Sequence, residues 1–151
     1  MKPLPTTVLC VLTTAFLALM SPNPVRAAEA TAEATTAAKP PADRVVAMYF
    51  HRTKRCPTCQ KMGSYSEEAM KKGFAEQIKK GTVEFHYIDF QDKKNAALAK
   101  GYNISGPALI VVKVVDNKVK EYKDLQEIWI KVKEKPEFLK YVRENVEAYL
   151  D

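Results

Sequence analysis

The sequence predicts an α/β domain: a central mixed sheet of four strands, two parallel and two forming an antiparallel hairpin, with helices on both faces. Three observations carry this. A continuous apolar run rich in strand formers, Val45 to His51, and a second buried-looking strand, Val83 to Phe90, are separated by a helical segment long enough for a parallel crossover. Ala108 to Val115 and Lys118 to Tyr122 flank Asp116-Asn117, a two-residue connection that reads as a hairpin. The element order is then strand, helix, strand, helix, hairpin, helix, which closes as a layered α/β fold.

Each element has its own signal. Val45 to His51 is continuously apolar and too short for a typical helix, as suits a strand buried on both faces. The charged Arg52 to Arg55 ends it, and Pro57 fits the first turn of a helix, where its missing N–H is no loss. Gly63 predicts a pause, with Ser64 and Glu67 as a capping box that restarts the helix. Ala69, Met70, Phe74, Gln77 and Ile78 carry it to about Lys80, and Gly81 closes it. Asp92 to Lys100 reads as a short helix stopped at Gly101. Asp124 and Glu127 form a second capping pattern, after which Leu125, Ile128, Trp129 and Val132 share one helical face, so Trp129 reads as core. Pro136 opens the last helix, with an expected inner stripe of Leu139, Val142, Val146 and Tyr149. Tyr49, Phe50, Phe85 and Tyr87 read as packing in strands. Glu67 with Glu68 reads as helix solvation and capping rather than a catalytic carboxylate pair.

The chain has 151 residues, 46% hydrophobic and 28% charged, with 5 Gly and 3 Cys, which excludes collagen, a disulfide-dense mini-protein and a wholly disordered polymer. Residues 1–27 have the order of a secretory signal peptide: Lys2, an apolar stretch from Val8 to Met20, then Ser21, Pro22 and Pro24, then small residues around Ala27. That stretch is 13 residues, short of the roughly 20 that span a bilayer. The expectation is export to the periplasm or medium, with no membrane attachment in the mature form. Residues 28–42 are almost entirely Ala, Thr, Glu and Pro and read as a flexible linker, leaving residues 43–151 as the folded domain. Removing Lys2 and Arg26 lowers Lys+Arg from 24 to 22 against 18 Asp+Glu, a mature charge of +4. The excess is scattered, with no dense basic run and interleaved aromatics, so no nucleic-acid partner is expected. Nothing in the sequence sets the oligomeric state.

Cys56-Pro57-Thr58-Cys59 hold the two cysteines left after removal of Cys10, and they fall where a buried strand gives way to a helix. Helix N-terminal amides and dipole stabilise a thiolate there, and Arg52, Lys54 and Arg55 add positive potential. A cysteine with pKa about 8.5 is about 3% ionised at pH 7; at pKa about 7 it is about half ionised. Cys56 is therefore the expected attacking thiol and Cys59, one turn inside, the resolving thiol. As a staple the pair does little, because a four-residue loop gains about 1.9 kcal/mol from chain entropy against about 4.7 for a 100-residue loop. A metal site is the competing reading, since His51 and His86 with both thiolates make a Cys2His2 set, but five residues separate His51 from Cys56 and His86 lies mid-strand. No metal is expected. His51 beside the thiols is the candidate for tuning them or shuttling protons.

The strand-C-x-x-C-helix unit, the element order and A-L-A-K-G-Y-N-I-S-G-P-A-L-I-V-V before the hairpin resemble the thioredoxin-like superfamily over about Val45 to Tyr149. The resemblance implies a protein thiol or disulfide partner and makes Pro107 the equivalent of the family's substrate-positioning cis-proline. Three departures matter. Arg55 stands where thioredoxins place Trp, changing the substrate-facing surface; Phe50 stands where they bury an acid, so a base must be His51, water or a more distant acid such as Asp89; and Gly106 precedes the proline in a shorter loop. More narrowly, Y-F-H-R-T-K-R-C-P-T-C, K-D-L-Q-E-I-W and the F-L-K-Y-V-R helix resemble the family of nitrophenyl compound nitroreductase subunit ArsF. With no flavin- or nicotinamide-binding motif and no Gly-rich phosphate loop, no cofactor is expected, and any such role would pass electrons through Cys56 and Cys59 to another subunit. Asn103-Ile104-Ser105 also fits a glycosylation sequon bordering the proline loop.

Overall fold

The computed structural model describes residues 39–150; the predicted signal peptide, Cys10 and most of the expected linker lie outside the described residues. Strand β1, Arg44–His51, owes its unbroken apolar run to its place in the sheet. The order is β2-β1-β3-β4, so β1 has a neighbour on each side and helices or loops over both faces. It pairs in parallel with β2, Val83–Asp89, and antiparallel with β3, Ala108–Val115. Strand β4, Lys118–Asp124, closes the hairpin and is exposed along its whole length. Its lysines and glutamate along an outer edge discourage pairing with another chain.

Alternation divides the core in two. Val45, Ala47 and Tyr49 of β1 join Leu109 and Val111 beneath the helices, while Met48 and Phe50 join Ile110, Val112 and Val114 on the other face. Helix α1, Pro57–Gly73, buries Cys59, Met62, Gly63, Ser66, Ala69 and Met70 as one stripe. Ser66 is satisfied there, its hydroxyl donating to the Met62 carbonyl at 2.8 Å. Helix α2, Ala75–Lys80, ends at Gly81, whose φ of 75° is the left-handed cap that glycine adopts without penalty. Asp92 caps a 3-10 turn at Lys93–Asn95 that leads into α3, Ala96–Gly101, and Tyr102 just beyond packs on Phe50 of the second face. Helix α4 is Ile128–Lys131 and α5 is Lys135–Glu147.

Four expectations need correction. Helix α1 does not pause at Gly63; it runs on to Gly73 and breaks at Phe74, so Ser64 and Glu67 form no capping box. Gly63 is there for space instead. A Cβ at that position would lie 2.9 Å from a ring carbon of both Tyr49 and Tyr87. The inner stripe of α5 keeps Val142 and Val146 as expected but has Phe138, edge-on to Tyr65, in place of Leu139, which lies at the margin with Tyr149. The segment after Asp124 is not one amphipathic helix, since the Leu125 N–H still donates to Leu109 across the sheet. Consequently Leu125, Ile128 and Val132 are buried while Trp129 is turned out, 46% exposed.

The hairpin connection is as expected, with Asp116 at φ 52° and Asn117 at φ 60°. Those angles match the right-handed twist of the flanking strands. Asp43 accepts from the Asp116 N–H and Ala42 from the Asn117 N–H, so ordered backbone reaches back past the first strand. No helix among the described residues is long and apolar enough to cross a membrane.

Candidate active site

Cys56 is the N-cap of α1, with extended backbone at φ −75° and ψ 161°, and Pro57 occupies the first turn. Its Sγ accepts the Cys59 N–H at 3.3 Å, and its carbonyl accepts the Gln60 N–H at 2.9 Å. Cys56 and Cys59 pair as a disulfide with Cα atoms 5.2 Å apart. The two are unequal in access: Cys56 is exposed, whereas Cys59 is only 7% exposed and belongs to the core. No acidic residue stands in the first turn of α1 to oppose a negative sulfur.

Behind the dithiol lies an aromatic wall. Tyr49, fully buried, donates its hydroxyl to the Cys59 carbonyl at 2.7 Å, tying the first turn of α1 to the central strand. Burial pushes the Tyr49 phenol well above its ordinary value, and the nearby Arg55 charge only partly opposes this. Tyr87 stands edge-on to Tyr49 at 6.0 Å and donates to Glu67 at 3.1 Å. Desolvation, then the Glu67 charge and hydrogen bond, push Tyr87 up to about 12. Both phenols are thus neutral donors at physiological pH.

His51 sits beside both rings, 6.4 Å from Tyr49 and 6.0 Å from Tyr87. Its Nδ1 lies 3.0 Å from the Arg52 carbonyl, an acceptor only, so that nitrogen carries the proton. Among the described residues no hydrogen bond joins His51 to either cysteine sulfur. In the parallel register His51 is opposite Asp89, whose carboxylate accepts from the Thr53 hydroxyl at 2.7 Å. That hydrogen bond, more than any other influence, holds the Asp89 carboxyl below its usual range. Asp89 is therefore an acceptor already engaged.

Arg55 is exposed, with its guanidinium carbon 5.5 Å from the Tyr87 ring centroid and its carbonyl accepting from Gln60. Pro107 immediately precedes β3, and because Ala108 is opposite Phe50 the register carries Pro107 to the end of β1 from which the dithiol loop departs. An open cavity of about 440 Å³ is lined there by Tyr102, Ile104, Pro107, Asp124, Gln126 and Trp129, among others. A second cavity, of about 320 Å³, lies beside Arg44 and Val114 at the far end of the same strands.

His86 is not brought to the site. It is exposed on the edge strand and pairs with Glu84 at 2.8 Å, and no three His, Cys, Asp or Glu side chains among the described residues converge as a metal-holding group. Three nearby residues were not read from the sequence as neighbours of the site. Tyr87 alternates correctly for a strand, but its edge position leaves it 38% exposed beside Arg55 and Glu67. Thr53 gave no signal, because its partner is 36 residues away. Trp129 did give one: Ile128, Trp129 and Ile130 are consecutive apolar residues, which one helical stripe cannot bury together. No protein-family model matches this chain, and no curated protein matches it.

Proposed function

We propose that the chain is an exported thiol-disulfide oxidoreductase of the thioredoxin-like superfamily, acting on a protein partner through Cys56 and Cys59. The observation that carries this reading is the unequal placement of the two sulfurs at one helix N-terminus, Cys56 exposed as the cap and Cys59 buried one turn in. In the reducing direction the Cys56 thiolate attacks one sulfur of a partner disulfide. The partner's S–S bond breaks, and its other sulfur leaves as a thiolate. Cys59, deprotonated, then attacks Cys56, closing the internal disulfide and releasing the second partner thiolate; two electrons pass to the partner. The oxidising direction is the reverse. The narrower resemblance to the nitrophenyl compound nitroreductase subunit ArsF family extends the proposal to an electron carrier serving a second subunit.

Replacing the resolving thiol tests the assignment. Cys59→Ala should accumulate a mixed disulfide with its partner on Cys56, seen as a reductant-sensitive adduct by mass spectrometry, whereas Cys56→Ala should not. If Cys56→Ala traps as well and Cys59→Ala does not, the roles are reversed. If neither variant traps and neither exchanges with a small disulfide, the dithiol is not an exchange centre.

A further inference from the structure

The loop between β1 and α1 carries Arg52, Lys54 and Arg55 within four residues of Cys56, and all three are exposed. Several cations elsewhere on the domain are ion-paired: Lys71 with Glu67, Lys72 and Lys135 with Glu68, Lys94 with Asp92, Lys131 with Glu127 and Arg44 with Glu84. Others, such as Lys61, Lys79 and Lys100, are exposed without an ion pair among the described residues. Among the described residues no ion pair engages Arg52, Lys54 or Arg55. Of the acids described around the site, Glu67 is ion-paired with Lys71 and accepts from Tyr87, while Asp89 accepts from Thr53 and keeps its charge. What sets this loop apart is three cations in four residues, with no acid among them, directly before Cys56, the exposed cysteine of the described pair.

We propose that this cluster of unpaired cations selects the partner: the disulfide presented to Cys56 lies in a protein segment flanked by acidic residues. The inference rests on the exchange reading of the dithiol and adds the chemistry of what docks there. Three full positive charges stand in one loop, and a local field of one sign raises encounter rates for the opposite sign by ~10- to 1,000-fold at low salt. The field reaches about 30 Å in 0.01 M salt and about 3 Å in 1 M. Arg55 is held over the Tyr87 ring, and Arg52 and Lys54 are exposed. Trp129 and Pro107 line the neighbouring cavity and offer the same segment an apolar surface.

The test uses the reduced full chain and three synthetic peptides, each with one internal disulfide, identical except that Glu, Gln or Lys flanks the cysteines. Second-order exchange rates should fall in the order Glu, Gln, Lys, spread by about tenfold or more at low salt and converging near 1 M. The double variant R52E/K54E should reverse the order, and R52Q and K54Q singly should narrow it. The Glu-to-Lys ratio within one variant cancels any change in the thiolate itself, because every peptide meets the same sulfur. Equal rates for the three peptides, or an order unchanged in R52E/K54E, would overturn the proposal while leaving the exchange reading intact. Failure of every peptide and of a small-molecule disulfide alike would overturn both.

Discussion

At the scale of single residues, Gly63 and Gly101 show how differently two helical glycines serve. A Cβ at Gly63 meets both Tyr49 and Tyr87 at 2.9 Å, and Tyr49 has no room to retreat, being fully buried with its hydroxyl held by Cys59. A Cβ at Gly101 meets nothing within 4 Å. Alanine gains roughly 1 kcal/mol over glycine within a helix, but overpacking a filled core costs about 1–3 kcal/mol. At Gly63 the second effect wins. Gly63→Ala should lower stability by about 1 kcal/mol in urea unfolding, whereas Gly101→Ala should be neutral or stabilising by up to about 1 kcal/mol. Because the displaced Tyr49 holds the first turn of α1, Gly63→Ala should also slow exchange at Cys56 beyond what its stability loss explains. Equal stability of the two variants would mean that the aromatic wall yields freely.

At the scale of elements, what could be read from the sequence is what local physics decides. The strands, the hairpin turn and the dithiol at a strand-to-helix junction all follow from patterns a few residues long and all are present, but β2, read as a second buried strand, lies at the sheet edge with only Val83 buried. What could not be read depends on partners distant in the chain. Whether Gly63 breaks a helix or admits a ring is decided by Tyr49 and Tyr87, and whether Trp129 is core is decided by Leu125 staying hydrogen-bonded to Leu109. The hairpin offers a clean test of a locally encoded element. Asn117 holds a left-handed φ of 60° and also accepts from Arg44 at 3.0 Å, so it closes the turn and fastens it to the start of β1. Asn117→Ala should lose about 1–2 kcal/mol, seen as a lower thermal midpoint. Asn117→Gly removes the backbone penalty but not the lost contact, and should lose less. The reverse ranking would show that the left-handed φ carries no penalty at this turn.

At the scale of the whole molecule, the ionisable groups fix a pH window for stability. Asp89, Glu67 and Glu68 are all held below the ordinary carboxylate range, by the Thr53 hydroxyl, by Lys71, and by Lys135 with Lys72 respectively. A lowered folded pKa contributes stability above the unfolded pKa and loses it as pH falls through the folded one. These groups sit near solvent, which screens them, so the acid limb should be shallow. The alkaline limb has a different origin. Tyr87 is raised from 10.0 to about 12, and burial raises Tyr49 further. Above pH 10 the unfolded chain releases these protons while the folded chain retains them, so stability is whole below pH 10 and falls as pH rises through the folded values. Lys135, raised by Glu68, acts in the same direction. The expected curve of urea midpoint against pH is nearly flat at neutrality, declines gently in acid and drops steeply above pH 10. Tyr87→Phe should make that alkaline drop shallower. Ultraviolet absorbance gives the independent check: Tyr49 should form tyrosinate only as the protein unfolds. If every tyrosine ionises while the fold is intact, the wall behind the dithiol is open to water, and the buried tie between Tyr49 and Cys59 does not hold.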